Sequence, residues 1–128
     1  MTEPIWLSRE ECLAVHEMMI AQFGGAPGVR DEHLLASALA RPRQLFAYRQ
    51  PDLAELAAAY VYGVVRNHPF LDGTMLTGFI LGAGFLELNG GRFLASEPAT
   101  TVTILALAAG ELTEPDFTAW WRAHSQLP

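Results

Sequence analysis

The sequence predicts an all-α fold. Apolar residues recur at three- and four-residue steps in successive segments, and most of these segments open on a Ser, Thr or Asp able to cap a helix and close on Gly, Asn or Pro. Strict apolar–polar alternation, the mark of a half-buried strand, is missing apart from a short hairpin expected around Gly90 to Leu94. At 128 residues the chain suits one compact domain, residues 1–128, with enough length to bury a real core.

The elements follow in order. Ser8-Arg9-Glu10-Glu11 has the form of a capping box and opens a helix to about Phe23, with Leu13, Ile20 and Phe23 inward and His16 and Glu17 flanking them. Gly24-Gly25-Ala26-Pro27-Gly28 stops it as a loop, because Gly and Pro together favour turn geometry. Asp31 caps a short helix through Leu34, Leu35, Ala38 and Leu39, expected to end before Pro42, since a residue preceding proline is pushed out of the helical region. The next helix begins near Asp52, carries Leu53, Leu56, Ala57, Tyr60, Val61 and Val64 on one stripe, and ends near Asn67. After His68 to Thr74 comes a helix through Leu76, Phe79, Ile80, Leu81, Phe85, Leu86 and Leu88. It is apolar all round, expected at the centre of the fold, and stopped by Asn89-Gly90-Gly91. Pro98 sits in the first turn of a helix over Val102, Ile104, Leu105 and Leu107 to Gly110, and Thr113 with Asp116 caps a last one bearing Phe117, Trp120 and Trp121.

Composition narrows the function classes. A hydrophobic share of 51% against 17% charged residues excludes a mainly disordered chain, because burial on that scale offsets conformational entropy. A net charge of -6 argues against nucleic acid as a partner, which requires a basic footprint. The basic residues are all Arg, so chemistry that needs a Lys Schiff base or a phosphate-loop Lys is excluded. A lone cysteine, Cys12, permits neither an internal disulfide nor a multi-cysteine zinc site and reads as a small buried apolar residue. The start Met-Thr-Glu-Pro lacks the features of a secretory signal, and the longest charge-free apolar run, Gly73 to Leu86, is shorter than the ~20 residues of a bilayer span. No membrane association and a cytoplasmic location are therefore expected.

The segment that carries chemistry is Asn67-His68-Pro69-Phe70-Leu71-Asp72-Gly73-Thr74, set between two helices and just before the apolar one. A helix N-terminus presents unpaired backbone N–H groups and a partial positive charge, so it can hold a phosphate without a basic side chain, and Gly73 allows close approach. His68 supplies an imidazole base and Asp72 a hard carboxylate oxygen suited to magnesium, a combination that fits phosphoryl chemistry. The same residues also suit an ordinary loop, with Asp72 capping the helix, Phe70 plugging the core and His68 bonded to a carbonyl. The remaining histidines, His16, His33 and His124, lack metal-ligand spacing and read as solvated or core-edge residues. Of Trp120 and Trp121, one ring is expected to dock the last helix into the core.

His68-Pro69-Phe70-Leu71-Asp72-Gly73, followed by Thr77 and an apolar helix ending Phe85-Leu86-Glu87-Leu88-Asn89-Gly90, resembles the signature of the Fic/Doc superfamily. In its death-on-curing proteins that signature usually reads His-Pro-Phe-x-Asp-Gly-Asn-Lys-Arg-Thr. The run Phe23 to Asp31, and Leu39-Ala40-Arg41-Pro42 through Phe46 and Tyr48, are also similar, so the resemblance spans nearly the whole chain. It implies that His68 is the catalytic base, Asp72 the magnesium-binding acid, Gly73 with Thr74 the anion-binding turn and Phe70 the aromatic anchor of the loop. It further implies ATP or another nucleotide as donor, transfer of a phosphate-containing group to a protein hydroxyl by phosphorylation or AMPylation, and a protein target such as elongation factor Tu. An antitoxin whose C-terminal segment folds into the toxin groove is the implied partner. No segment of the Ser/Thr-x-x-x-Glu-Gly/Asn kind, which inhibits many Fic proteins in cis, occurs here.

The departure from the family pattern is Thr74-Met75-Leu76 in place of Asn-Lys-Arg. Hydrogen bonds to charged groups contribute about 1.5–3 kcal/mol each. Loss of two phosphate-binding cations therefore costs roughly 3–6 kcal/mol, or about 10²- to 10⁴-fold in rate. Thr74 offers a hydroxyl as helix cap or phosphate contact, while Arg66 or Arg92 would have to bring charge from elsewhere, Arg66 reading more simply as a solvated helix-end residue. Three functions follow as expectations: a weakened transferase toxin, a catalytically inactive relative that binds protein, or a transferase whose Met75-Leu76 wall accepts a different phosphate donor.

Overall fold

The computed structural model describes residues 2–128 and has six helices: α1 Arg9–Phe23, α2 Glu32–Tyr48, α3 Leu53–Asn67, α4 Thr74–Leu88, α5 Glu97–Ala108 and α6 Glu114–Ala123. The all-α expectation holds. Helix starts are set locally by side-chain caps: Ser8 accepts from Glu11 N–H in a complete capping box, and Asp31, Asp52, Ser96 and Thr113 each accept from the N–H three residues on.

The hub is α3, which packs against α2, α4, α5 and α6. Its small residues let neighbours approach: Ala54, Ala57, Ala58 and Ala59 are buried, and around them stand Leu56, Tyr60 and Val61, all without solvent exposure. The all-apolar α4 lies alongside it. A Cβ added at Gly82 would sit 2.3 Å from Val61 Cγ2 and 3.0 Å from the Ala57 carbonyl oxygen, and one at Gly78 would meet Val65 Cγ2 at 3.0 Å. Absent Cβ atoms therefore set the α3–α4 spacing. The rest of the core is aromatic: Trp121 is fully buried and stacks on Phe93 at 3.9 Å between ring centroids, while Trp6 of the N-terminal arm lies against Phe46 and Phe85. Trp121 is the ring that docks α6, with Trp120 only partly covered.

Three expectations are corrected. First, α2 does not stop before Pro42 but continues to Tyr48 with Pro42 buried inside it. Proline there leaves the Ala38 carbonyl without its usual intrahelical donor, and this stretch of α2 is packed closely against α3. A Cβ on Gly63 would fall 3.3 Å from the Ala38 carbonyl oxygen, so tertiary packing holds a helix that local preference would end. Second, Arg92–Phe93 forms a two-residue strand, β1, but its antiparallel partner is β2, Ser125–Gln126 near the C-terminus, rather than a neighbouring hairpin arm. Gly91 permits the crossing, since a Cβ there would lie 2.8 Å from the Gln126 carbonyl oxygen. Third, the inward residues of α1 are Cys12, His16 and Met19, while Leu13 is only partly covered and Phe23 is 64% exposed.

Cys12 is fully buried, and desolvation pushes its thiol up to about 12 against a weaker opposing pull from Arg9. At pH 8 the reactive thiolate then amounts to about one part in 10⁴. Native protein is expected to leave Cys12 unmodified by a thiol reagent at that pH and to react fully once denatured, as intact-mass measurement will show. The glycines of α4 give a second prediction. Gly84 has nothing within 4 Å of an added Cβ, so Gly84→Ala raises stability by about 0.4–1 kcal/mol. Gly82→Ala lowers it by roughly 1–3 kcal/mol through overpacking, with both read from urea denaturation midpoints.

Candidate functional site

The turn between α3 and α4 has no regular structure of its own and is held from three sides. Upstream, α3 ends with His68 as its C-cap in the left-handed region at φ 49°, its N–H bonded to the Val64 carbonyl. That conformation costs a non-glycine residue about 1–3 kcal/mol, and Arg30 compensates by donating from Nε to the His68 carbonyl at 2.8 Å and from Nη2 to the Asn67 carbonyl at 3.1 Å. The fork satisfies two carbonyls that a helix end leaves unpaired. Asn67 Nδ2 also donates to the Leu34 carbonyl at 2.9 Å.

Across the middle, the α1–α2 loop runs antiparallel to the segment. Val29 and Phe70 form a β-bridge, Leu71 N–H donates to the Gly28 carbonyl, and the Pro69 carbonyl accepts from the N–H groups of Arg30 and Asp31. Phe70 is fully buried and stacks face to face on the His16 ring, with centroids 3.9 Å apart and planes 9° from parallel. Phe70 is thus placed as an anchor of the loop.

At the downstream end, Asp72 is exposed, but its Oδ2 accepts from Ala26 N–H at 2.7 Å and its backbone carbonyl accepts from His16 Nε2 at 2.8 Å. Asp72 therefore does not cap α4. The N-cap is Gly73, in the left-handed region at φ 76°, and no side chain caps the helix. Thr74 occupies the first helical position with its hydroxyl buried and unpartnered, so the cap expected from that hydroxyl is not made. Among the described residues no hydrogen bond engages the N–H groups of Thr74, Met75 or Leu76. These are the free donors of a helix N-terminus, with the exposed Asp72 carboxylate beside them.

Met75 and Leu76, with Phe79, form one wall of an open groove of about 730 Å³, whose opposite wall is α5 with Pro98, Val102 and Leu105. Glu97 is its only ionisable lining residue, so the groove brings no positive charge to the turn. Arg66 does not bring it either, since its Nη1 donates to the Leu107 and Ala108 carbonyls at 3.2 and 3.3 Å, serving the C-terminus of α5. It is an exposed residue tied to a helix end rather than simply solvated. Arg92 lies exposed on β1.

Magnesium fits this donor set as a single-carboxylate ion. Asp72 keeps Oδ1 without a partner, its other oxygen is held by a backbone N–H, and Mg²⁺ takes one or two carboxylates and completes its shell with water and phosphate oxygens. No cluster of three or more acidic, His or Cys side chains able to hold a metal occurs among the described residues, so a dedicated protein cage is not built here. Of the other histidines, His33 is exposed and His124 is bonded through Nδ1 to the Trp120 carbonyl at 2.9 Å.

Sequence reasoning missed two residues that shape this site. His16 was expected at the edge of the core and is instead 3% exposed beneath the turn; its one sequence signal is the polar ring at the helical step between Cys12 and Met19. Arg30 lies in the run Phe23 to Asp31 that resembles the family, but its role carried no local signal, because the carbonyls it binds lie 37 and 38 positions away.

The model of the Fic/DOC family matches residues 6–86, which takes in α1 through most of α4 and the whole turn. The chain is 32% identical to the protein kinase doc of Escherichia phage P1 over 84% of its own length and 85% of the relative's. It is 37% identical to the toxin Doc of Mycolicibacterium smegmatis over 74% of this chain and 71% of that one. Fold, turn and both relatives agree, and the chain belongs to the Fic/DOC family.

Proposed function

We propose that the chain is a Doc-like toxin that transfers a phosphate-containing group from a nucleotide to a protein hydroxyl, at a rate reduced by the missing cations. The observation that carries this reading is the placement of an exposed, hydrogen-bonded Asp72 carboxylate beside the free N–H groups at the head of α4. His68 ends the preceding helix, four residues upstream of Asp72.

In this reading the imidazole of His68 accepts the proton of the target hydroxyl as its oxygen attacks phosphorus, and the bond from that phosphorus to the bridging oxygen of the leaving group breaks. The N–H groups of Gly73 and Thr74 hold the phosphate oxygens. Asp72 would hold a magnesium ion, which neutralises developing charge on those oxygens. Phosphorylation with loss of ADP, or AMPylation with loss of pyrophosphate, both obey this scheme. The name of the phage relative favours the first; the acceptor proposed with it is a cytoplasmic protein such as elongation factor Tu. The names of the two relatives also support an antitoxin partner, and the apolar α4–α5 groove offers its C-terminal segment a surface. Among the described residues no helix is long and apolar enough to cross a membrane.

One observation favours a second reading. Met75 and Leu76 extend an apolar surface where the family pattern has two phosphate-binding cations, which suits a chain that has kept the fold to bind protein and lost catalysis, or one that takes a less highly charged phosphate donor.

The readings separate by experiment. Titration of the purified chain with ATP and magnesium in a calorimeter is expected to show binding that Asp72→Asn weakens, and absence of binding sinks the transferase reading with ATP. Incubation with labelled ATP and cell extract is expected to label a protein acceptor, and His68→Ala to abolish the label; full labelling by that variant would exclude His68 as the base. Restoring Thr74→Asn, Met75→Lys and Leu76→Arg together is expected to raise the rate by about 10²- to 10⁴-fold.

A further inference from the structure

His16 is almost wholly buried, and its hydrogen bond and its ring stack both fall on the motif segment. Its Nε2 lies 2.8 Å from the Asp72 carbonyl oxygen; since a carbonyl only accepts, Nε2 carries the proton and donates. Its ring covers Phe70 at 3.9 Å, and a Cβ added to Gly73 would lie 3.7 Å from both Cδ2 and Nε2. The neighbouring Ile20, one turn on, presses its Cδ1 to within 3.3 Å of where Cβ atoms of both Gly25 and Gly73 would stand. Three consecutive features of the turn, the aromatic plug, the acidic residue and the left-handed glycine, thus rest on one face of α1.

We propose that His16 is a positioning residue of the site. It acts on Asp72 from the backbone side while Ala26 N–H holds the carboxylate from the other, and the two bonds together fix the direction of the free Oδ1 and the entry angle of α4. Neither bond alone does so: Ala26 lies in a glycine-rich loop with Gly24, Gly25 and Gly28 all at positive φ, a backbone with little stiffness of its own. The imidazole supplies the rigid half of the clamp because α1 holds it in a packed ring stack. An apolar residue of equal size would fill the space without directing the turn. Its consequence for nucleotide binding rests on the transfer reading above; its mechanical role does not.

Two variants separate the donor from the ring. His16→Phe keeps a ring to stack on Phe70 and removes the donor, whereas His16→Gln keeps a donor and removes the ring. The readout is amide hydrogen exchange at Ala26 and Leu71, whose bonds end on Asp72 and on Gly28 across the turn, compared with Val61 and Leu81 inside α3 and α4. His16→Phe is expected to accelerate exchange at Ala26 and Leu71 by about tenfold or more, leaving Val61 and Leu81 within about twofold of the parent. His16→Gln is expected to exchange at Ala26 and Leu71 more slowly than His16→Phe.

Unchanged exchange at Ala26 and Leu71 in His16→Phe overturns the proposal, as does an equal acceleration at all four amides, which marks a residue that only fills the core. If His16→Phe does not fold, the judgement passes to His16→Gln, whose retained donor must keep Ala26 and Leu71 exchange within about threefold of the parent. Calorimetry with ATP and magnesium on the same proteins is expected to show affinity falling in step with exchange. A parent chain that binds no nucleotide ends the transferase reading and leaves the exchange comparison to decide the role of His16.

Discussion

A turn that carries chemistry but forms no helix or strand of its own must borrow its rigidity, and in this chain the loan comes from backbone pairing with the segment that follows α1. The Val29–Phe70 bridge, the Leu71 bond to Gly28 and the double acceptance by the Pro69 carbonyl convert an irregular connection into a short antiparallel ribbon. That ribbon fixes the middle of the turn. Beyond it Asp72 is held on its carboxylate by Ala26 N–H and on its backbone carbonyl by His16, and α4 begins at Gly73. Gly25 is needed because the two segments come so close there: a Cβ on it would stand 3.0 Å from Asp72 Cβ.

The ends of the turn are held by different physics. At His68 the chain adopts a left-handed conformation that a side chain disfavours, and the Arg30 fork offsets the cost with two charge-assisted bonds to successive carbonyls. That guanidinium is consumed by backbone groups, so the cation nearest the turn in space is structural. Arg66 is committed to the end of α5, Met75 and Leu76 line the groove, and the N–H groups at the head of α4 stand without a side-chain cap.

The α3–α4 contact is made away from the first turn of α4. Gly78 and Gly82 press against Val64, Val65, Val61 and Ala57, and this face sets the position of α4 without reference to its first turn. Met75 and Leu76 lie off that face, toward α5, where apolar side chains meet other apolar side chains. The residues at positions 75 and 76 therefore shape the groove, while the packing that defines the fold lies elsewhere on α4.

Much of this was readable in the residues alone, and for a local reason. Caps at Ser8, Asp31, Asp52, Ser96 and Thr113, the stop at Asn89-Gly90-Gly91 and the location of the turn ahead of an apolar helix all depend on neighbours within four positions. The all-α class and the candidate residues His68, Phe70, Asp72, Gly73 and Thr74 came from such signals and from the motif they compose. Tertiary structure decided what those signals could not reach. Pro42 stays inside α2 because α3 packs against the Ala38 carbonyl, Arg92–Phe93 pairs with Ser125–Gln126, the Thr74 hydroxyl is buried rather than capping, and His16 and Arg30 serve the turn from distant places in the chain. Each of these depends on a partner dozens of residues away or on the shape of a packed neighbour, and no periodicity or cap in the sequence encodes which distant group will arrive.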